Sequence, residues 1–102
     1  MHSYHVYFTP KEGFSPEKVA QLIHHFGERE KTENLMHNYQ LVMFDNKASF
    51  EELFDYHFVA HYRSEEERTQ AFKSLSHDYM KEPHLSLMKM TKEFKVAFSV
   101  DL

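Results

Sequence analysis

The chain has no cysteine and no tryptophan, and only two glycines and three prolines in 102 residues. Without cysteine there are no disulfides, no zinc-thiolate centres and no thiol nucleophiles, and a reducing compartment, the cytoplasm, is the expected location. With Gly13 and Gly27 alone, a glycine-rich loop whose backbone N–H groups cradle phosphates has no place, which sets phosphoryl chemistry of that kind aside. No Ser/His/Asp triad and no paired-carboxylate signature is visible in the order of residues. A formal net charge of −4 supplies no basic field to neutralise phosphates, so nucleic acid is not an expected partner. No apolar run approaches the ~20 residues that span a bilayer. The start, "MHSYHVYFTPKEG", lacks a basic segment followed by an apolar one, so neither membrane nor secretion is expected.

Against these absences stand ten phenylalanines, six tyrosines and a hydrophobic share of 41%, enough to pack a core and to exclude disorder. The length suits one domain, residues 1–102, with no room for a second core and no linker or repeat to divide it. Nine histidines are dispersed along the chain, which makes them a feature of the fold and not a tag.

Ser3 to Thr9 is rich in aromatic and β-branched residues and stops at Pro10, a first strand and turn. Ser15 then offers an N-cap and Pro16 a favoured first helical position, and Val19, Leu22, Ile23 and Phe26 recur at helical spacing. Gly27 costs about 1 kcal/mol in a helix relative to Ala, so this helix is expected to fray or stop before Lys31. Tyr39 to Phe44 reads as a second strand ended by "DNKAS". Ser64 opens another helix, with Glu65, Glu66 and Glu67 at the positive end of its dipole and Ser64 with Glu67 as a capping box. Ala71, Phe72, Leu75 and Tyr79 are its core face. A further helix enters through Pro83, and Phe94, Val96, Phe98 and Val100 alternate along a last strand.

The stretch "FDYHFVAHYRSEEER" (54–68) decides how two histidines relate. On a helix His57 and His61 would share a face and could chelate one ion. From Phe54 to Tyr62, however, Phe54, Tyr56, Phe58, Ala60 and Tyr62 alternate with Asp55, His57, Val59 and His61, which is the period of a strand. Four strand residues span roughly 13 Å, whereas zinc holds imidazole nitrogens at about 2.0 Å. The two histidines therefore cannot share a metal, although either can pair with a histidine of a neighbouring strand, His5 above all.

The element order β-α-β-β-α-β, its second helix broken, is the split β-α-β or ferredoxin-like arrangement, an α+β sandwich. With "YHVYFTPKEG", the capped "SEEERTQAF" and the proline-led "EPHLSLMKMTKEFKVAFSVDL", the chain resembles the dimeric α/β-barrel superfamily, and most of all one of its uncharacterised single-domain families. The resemblance implies that strands one and three are central, that helices cover one sheet face, and that the other face packs on a second copy to close a barrel. It implies a homodimer, and an activity in the range from simple small-molecule binding to cofactor-free or haem-related monooxygenation. Haem-degrading members carry an axial histidine in the last helical region, where this chain has His77 and His84. They also use an Asn on strand one and a Trp, whereas this chain has His5 or Tyr7 and no Trp.

The alternation sorts the strand residues into two faces. Tyr4, Val6 and Phe8, then Phe54, Tyr56, Phe58 and Tyr62, then Phe94, Val96, Phe98 and Val100 form a uniformly apolar face expected to meet the helices. Ser3, His5, Tyr7 and Thr9, then His57, Val59 and His61, then Lys95, Ala97, Ser99 and Asp101 form a mixed face suited to a water-containing dimer interior. The candidate binding residues are His5, Tyr7, His57 and His61 on the mixed face, with Tyr56, Tyr79 and His84 towards the helices. Convergent histidines can hold a metal or act as a general base, but a third ligand is missing, so no metal and no cofactor is predicted. Tyr4, Tyr56, Tyr62, Phe72 and Tyr79 are placed to line a pocket for a small apolar or aromatic ligand, or simply to fill the core. His24 and His25 on helix one are read as solvated, and Met80, Met88 and Met90 as adaptable core. The balance favours a homodimeric small-molecule-binding or structural protein, with a small monooxygenase as the alternative.

Overall fold

Strands β1 (His2–Pro10) and β3 (Tyr56–Tyr62) lie side by side at the centre of a four-stranded antiparallel sheet, with β2 (Asn38–Met43) outside β3 and β4 (Thr91–Val100) outside β1. Helix α1 (Pro16–Thr32) joins β1 to β2, and α2 (Glu65–Asp78) and α3 (His84–Met90) join β3 to β4. This is the ferredoxin-like order expected from the sequence. The computed structural model describes residues 1–50, 52–78 and 84–102, with the backbone alone for residues 77, 78, 84 and 85. Among these residues no helix is long and apolar enough to cross a membrane.

The core forms where the apolar strand face meets the helices. Phe8, Phe58, Ala60 and Tyr62 from the sheet pack with Val19 and Ile23 of α1, Ala71 of α2 and Met36 from the turn before β2, all of them buried. Capping fixes where the helices begin. Ser15 Oγ accepts the Lys18 N–H at 3.2 Å with Pro16 following. Ser64 Oγ accepts the Glu67 N–H at 3.1 Å, while the Glu67 carboxylate accepts the Arg63 N–H at 3.0 Å. The capping box thus closes one residue further back than its usual form, on Arg63 in place of Ser64.

Two expectations are corrected. Helix α1 does not stop near Gly27; it continues to Thr32, because Gly27 is buried where the Tyr39 ring of β2 crosses the helix and tertiary packing outweighs its low propensity. The apolar face of β4 points to the helix side but is not covered by it: Phe94, Val96, Phe98 and Val100 remain 45% to 56% exposed. The helices sit mainly over β1, β3 and β2; α2 touches β4 at Phe98, whose ring meets Phe72 at 5.7 Å, without covering the strand. β4 is exposed along nearly its whole length on both faces.

Candidate functional site

The register of the central strands decides which outer-face side chains meet. β1 and β3 pair so that Ser3 stands opposite His61, His5 opposite Val59 and Tyr7 opposite His57. On the other side of β1, Ser99 stands opposite Ser3 and Ala97 opposite His5. No two histidines are direct partners, yet a side chain reaches its diagonal neighbour across adjacent strands. His5 does so twice. Its Nδ1 lies 2.9 Å from His57 Nε2, and its Nε2 lies 2.7 Å from Ser99 Oγ. One strand pair along, Ser3 Oγ lies 2.8 Å from His61 Nδ1, with Ser3 buried. Tyr7 stacks on His57, ring centroids 4.5 Å apart at 8°.

Ser99, His5 and His57 therefore form one hydrogen-bonded chain across three strands. A neutral imidazole carries one donor and one acceptor nitrogen, so the chain has two consistent polarities. Either Ser99 donates to His5 Nε2 and His5 Nδ1–H donates to His57, or His57 Nε2–H donates to His5 Nδ1 and His5 Nε2–H donates to Ser99. Both require a neutral His5, and the polarity in which His57 accepts requires a neutral His57 as well. The environment favours that state: burial holds both rings below the usual histidine range, reinforced at His5 by His61 and at His57 by His5 and His61. The 2.9 Å separation is that of a hydrogen bond; two imidazoles on one tetrahedral zinc stand about 3.3 Å apart at N. Among the described residues no group of three or more His, Asp or Glu side chains is arranged to hold a metal ion.

Of the residues singled out in the sequence, His5, Tyr7 and His57 come together, while His61 is held to one side by Ser3. Tyr56 does not join them. It faces the helix side, stacks on Phe8 at 5.4 Å and borders a groove with Pro10 and Phe14. Tyr79 lies outside the described residues, and of His84 only the backbone is described, as the first residue of α3. His24, read as merely solvated, has its Nδ1 3.0 Å from the Tyr39 hydroxyl, which also donates to Glu28 at 3.1 Å. The sequence reading missed Ser3 and Ser99 as histidine partners. Their positions on the mixed face were legible, but their pairing depends on register.

On the opposite face, between the sheet and the helices, lies a cavity of about 280 Å³. Val6 and Phe8 form part of its floor, Ile23, Phe26 and Leu75 its roof, and Met88 and Phe94 are the half-exposed residues of its wall. Tyr4 and Thr91 are the polar members of the lining. Burial raises the Tyr4 phenol above its ordinary range, and Thr91 Oγ1 donates to the Leu87 carbonyl at 3.1 Å. The cavity presents an almost wholly apolar surface. Tyr62 and Phe72, also expected to line a pocket, border a smaller neighbouring void instead.

No protein-family model and no curated protein sequence matches the chain. Solved structures do. The Arabidopsis thaliana protein At3g17210 matches over 100% of both chains with a TM-score of 0.75 at 15% identity. A hydroxynitrile lyase from Passiflora edulis matches over 99% of this chain and 93% of its own with a TM-score of 0.69 at 13% identity. A dimeric ferredoxin-like protein of unknown function from Thermobifida fusca matches over 96% and 88% with a TM-score of 0.62 at 16% identity. At such identities the likeness is one of fold: the chain has the fold of dimeric ferredoxin-like proteins.

Proposed function

We propose that the chain is a cytoplasmic homodimer that binds a small apolar or aromatic molecule in the cavity between its sheet and helices. The observation that carries this reading is the cavity itself, about 280 Å³ of apolar-walled space beside a densely packed core. Interiors pack densely and voids of this size are few, so one with a hydrophobic wall reaching the surface is a binding feature. Dimerisation is supported by the outer face, where Tyr7 and Ala97 interleave with the histidines, by the half-exposed apolar residues of β4, and by the dimeric fold relatives. The absence of cysteine supports the location.

The described lining offers Tyr4 and Thr91 as its polar members and is otherwise apolar, which supports binding of an apolar molecule ahead of turnover as the reading of this cavity. The test is titration of 1-naphthol into the protein by calorimetry, with Met88→Trp as a variant that narrows the wall from a half-exposed position. The expected result is saturable one-to-one binding that Met88→Trp weakens at least tenfold while thermal stability is kept. Absence of heat at millimolar naphthol, or unaltered binding by Met88→Trp and by a second wall variant, Leu75→Phe, would overturn the cavity as the site.

A further inference from the structure

We propose that Ser99, His5 and His57 form a nucleophile, base and orienting group, and that Ser99 is acylated by small neutral esters with good leaving groups. The observation is the connectivity. A serine hydroxyl lies 2.7 Å from Nε2 of a histidine whose Nδ1 lies 2.9 Å from a third side chain. That is the geometry by which a catalytic serine triad is recognised, independent of the order of residues in the chain. Here the third member is a second histidine, which accepts from His5 Nδ1–H and thereby turns the His5 Nε2 lone pair towards Ser99. In that polarity Ser99 donates to His5, the arrangement of an activated hydroxyl.

The surroundings suit the roles. His5 and His57 are both held below the ordinary histidine range by burial, so the base is unprotonated at neutral pH. All three residues sit on strands, and the backbone of Ser99 is fixed by Arg68 of α2, whose Nη1 donates to the carbonyls of Ser3 at 3.0 Å and Ser99 at 3.3 Å. Ser99 is exposed and is the second-last residue of β4, beside the exposed Met1–Asp101 ion pair at one end of the sheet. A small molecule can therefore approach along that end even when a second copy lies across the face.

In the reaction Ser99 Oγ attacks the ester carbonyl carbon as His5 Nε2 takes the hydroxyl proton. The tetrahedral adduct expels the alkoxide or phenoxide, which leaves with that proton, and an acyl-serine remains. Water then attacks the acyl carbon with His5 again as base, releasing the carboxylic acid and restoring Ser99, so that ester and water give acid and alcohol. Among the described residues the only side chain hydrogen-bonded to Ser99 Oγ is His5. A missing oxyanion donor typically costs about 10²- to 10³-fold in rate, which confines the substrate class to activated esters such as aryl acetates and excludes amides. The exposed Ala97, two residues along the same face of β4, suits a short, uncharged acyl group.

The site lies on the sheet face away from the cavity, so the two readings fail separately. The experiment treats the full chain with a fluorophosphonate probe and with p-nitrophenyl acetate and maps the modified peptide by mass spectrometry. The expected result is a label on Ser99 that Ser99→Ala abolishes, that His5→Gln slows at least 100-fold, and that His57→Gln slows about tenfold with its pH midpoint displaced. Met88→Trp, which alters only the cavity, should leave the label on Ser99 unaltered. Acetyl groups found on His5 or His57 in place of Ser99, or a Ser99 labelled no faster than the surface Ser76, would overturn the proposal. If His5→Gln alone unfolds the chain, Ser99→Cys with iodoacetamide gives the same reading. A thiol introduced at that position and reacting no faster at pH 6.5 than a free cysteine would count against activation by His5.

Discussion

Gly27 and Tyr39 are fitted to each other: a β-carbon built on Gly27 would stand 2.5 to 2.7 Å from three carbons of the Tyr39 ring. The ring is in turn fixed at its hydroxyl by His24 and Glu28 of the same helix. Replacing Gly27 with Ala adds about 1 kcal/mol of helix propensity but drives a methyl into an aromatic ring, and overpacking of this kind costs typically about 1–3 kcal/mol. The expected outcome is a net loss of up to ~2 kcal/mol for Gly27→Ala in urea unfolding. In a Tyr39→Ala background the same change should become neutral or stabilising, a coupling that a double-mutant cycle measures directly.

The histidine chain makes stability depend on acid with a defined sign. His5 and His57 are both held below the ordinary value of 6.5, first by burial and then by neighbouring histidines. The unfolded chain therefore binds protons at a pH where the folded one does not. The stability they permit is complete above about pH 6.5 and declines as pH falls towards their lowered folded values. The groups facing them are His61 from β3 and Lys95 and Ser99 from β4; β2 contributes only Asn38, Gln40 and Val42. The expected outcome is a dimer that loosens between roughly pH 6.5 and 5, measured by sedimentation, with the change reduced when His5, His57 and His61 are all replaced by Gln. A dimer constant that is flat across that window would place these rings outside the interface.

Arg68 of α2 donates to both the β1 and the β4 backbone, at Ser3 and Ser99, and its guanidinium lies over the Phe98 ring at 5.1 Å. Hydrogen bonds from a charged donor contribute about 1.5–3 kcal/mol when partly buried. Arg68→Ala should lower stability by about 2 kcal/mol and, by hydrogen exchange, loosen β4 before β3. Arg68→Lys should recover only part of this, because an ammonium on a flexible stem does not reproduce the planar donor set or its stacking on Phe98.

Ala97 sits on the outer face opposite His5, exposed and away from the helices. An arginine there leaves the core untouched but places a charge where a second copy would lie. Ala97→Arg is expected to give a folded monomer by sedimentation, with circular dichroism unaltered. A variant that still dimerises with parental affinity would move the interface off this face.

Much of this arrangement is legible in the sequence where periodicity is strong. The alternation from Tyr56 to Tyr62 separates His57 and His61 from Phe58 and Ala60, and the structure keeps that division. The capped starts at Ser15 and Ser64 are equally plain because local hydrogen bonds set them. What resists reading is set at a distance. Gly27 looks like a helix end until the Tyr39 ring is placed above it. Ser99 looks like one more polar residue on a strand until register brings it to His5. The exposure of Phe94 to Val100 follows from where the helices stop, which no alternation along β4 encodes.

The ion pair of 3.3 Å between the Met1 amino group and Asp101, with the Asp101 N–H donating to the Met1 carbonyl at 3.0 Å, makes the molecule almost a closed ring. The first and last strands in chain order are sheet neighbours, so β1 lies beside an empty place until β4 arrives, and its pairing with β4 is the longest loop the chain must close. Joining the ends through a short linker and opening the chain elsewhere would turn that late, distant pairing into a local hairpin. A circular permutant cut in the exposed turn between β2 and β3, at Asn46, should keep the fold and complete its sheet faster than the natural order of elements allows.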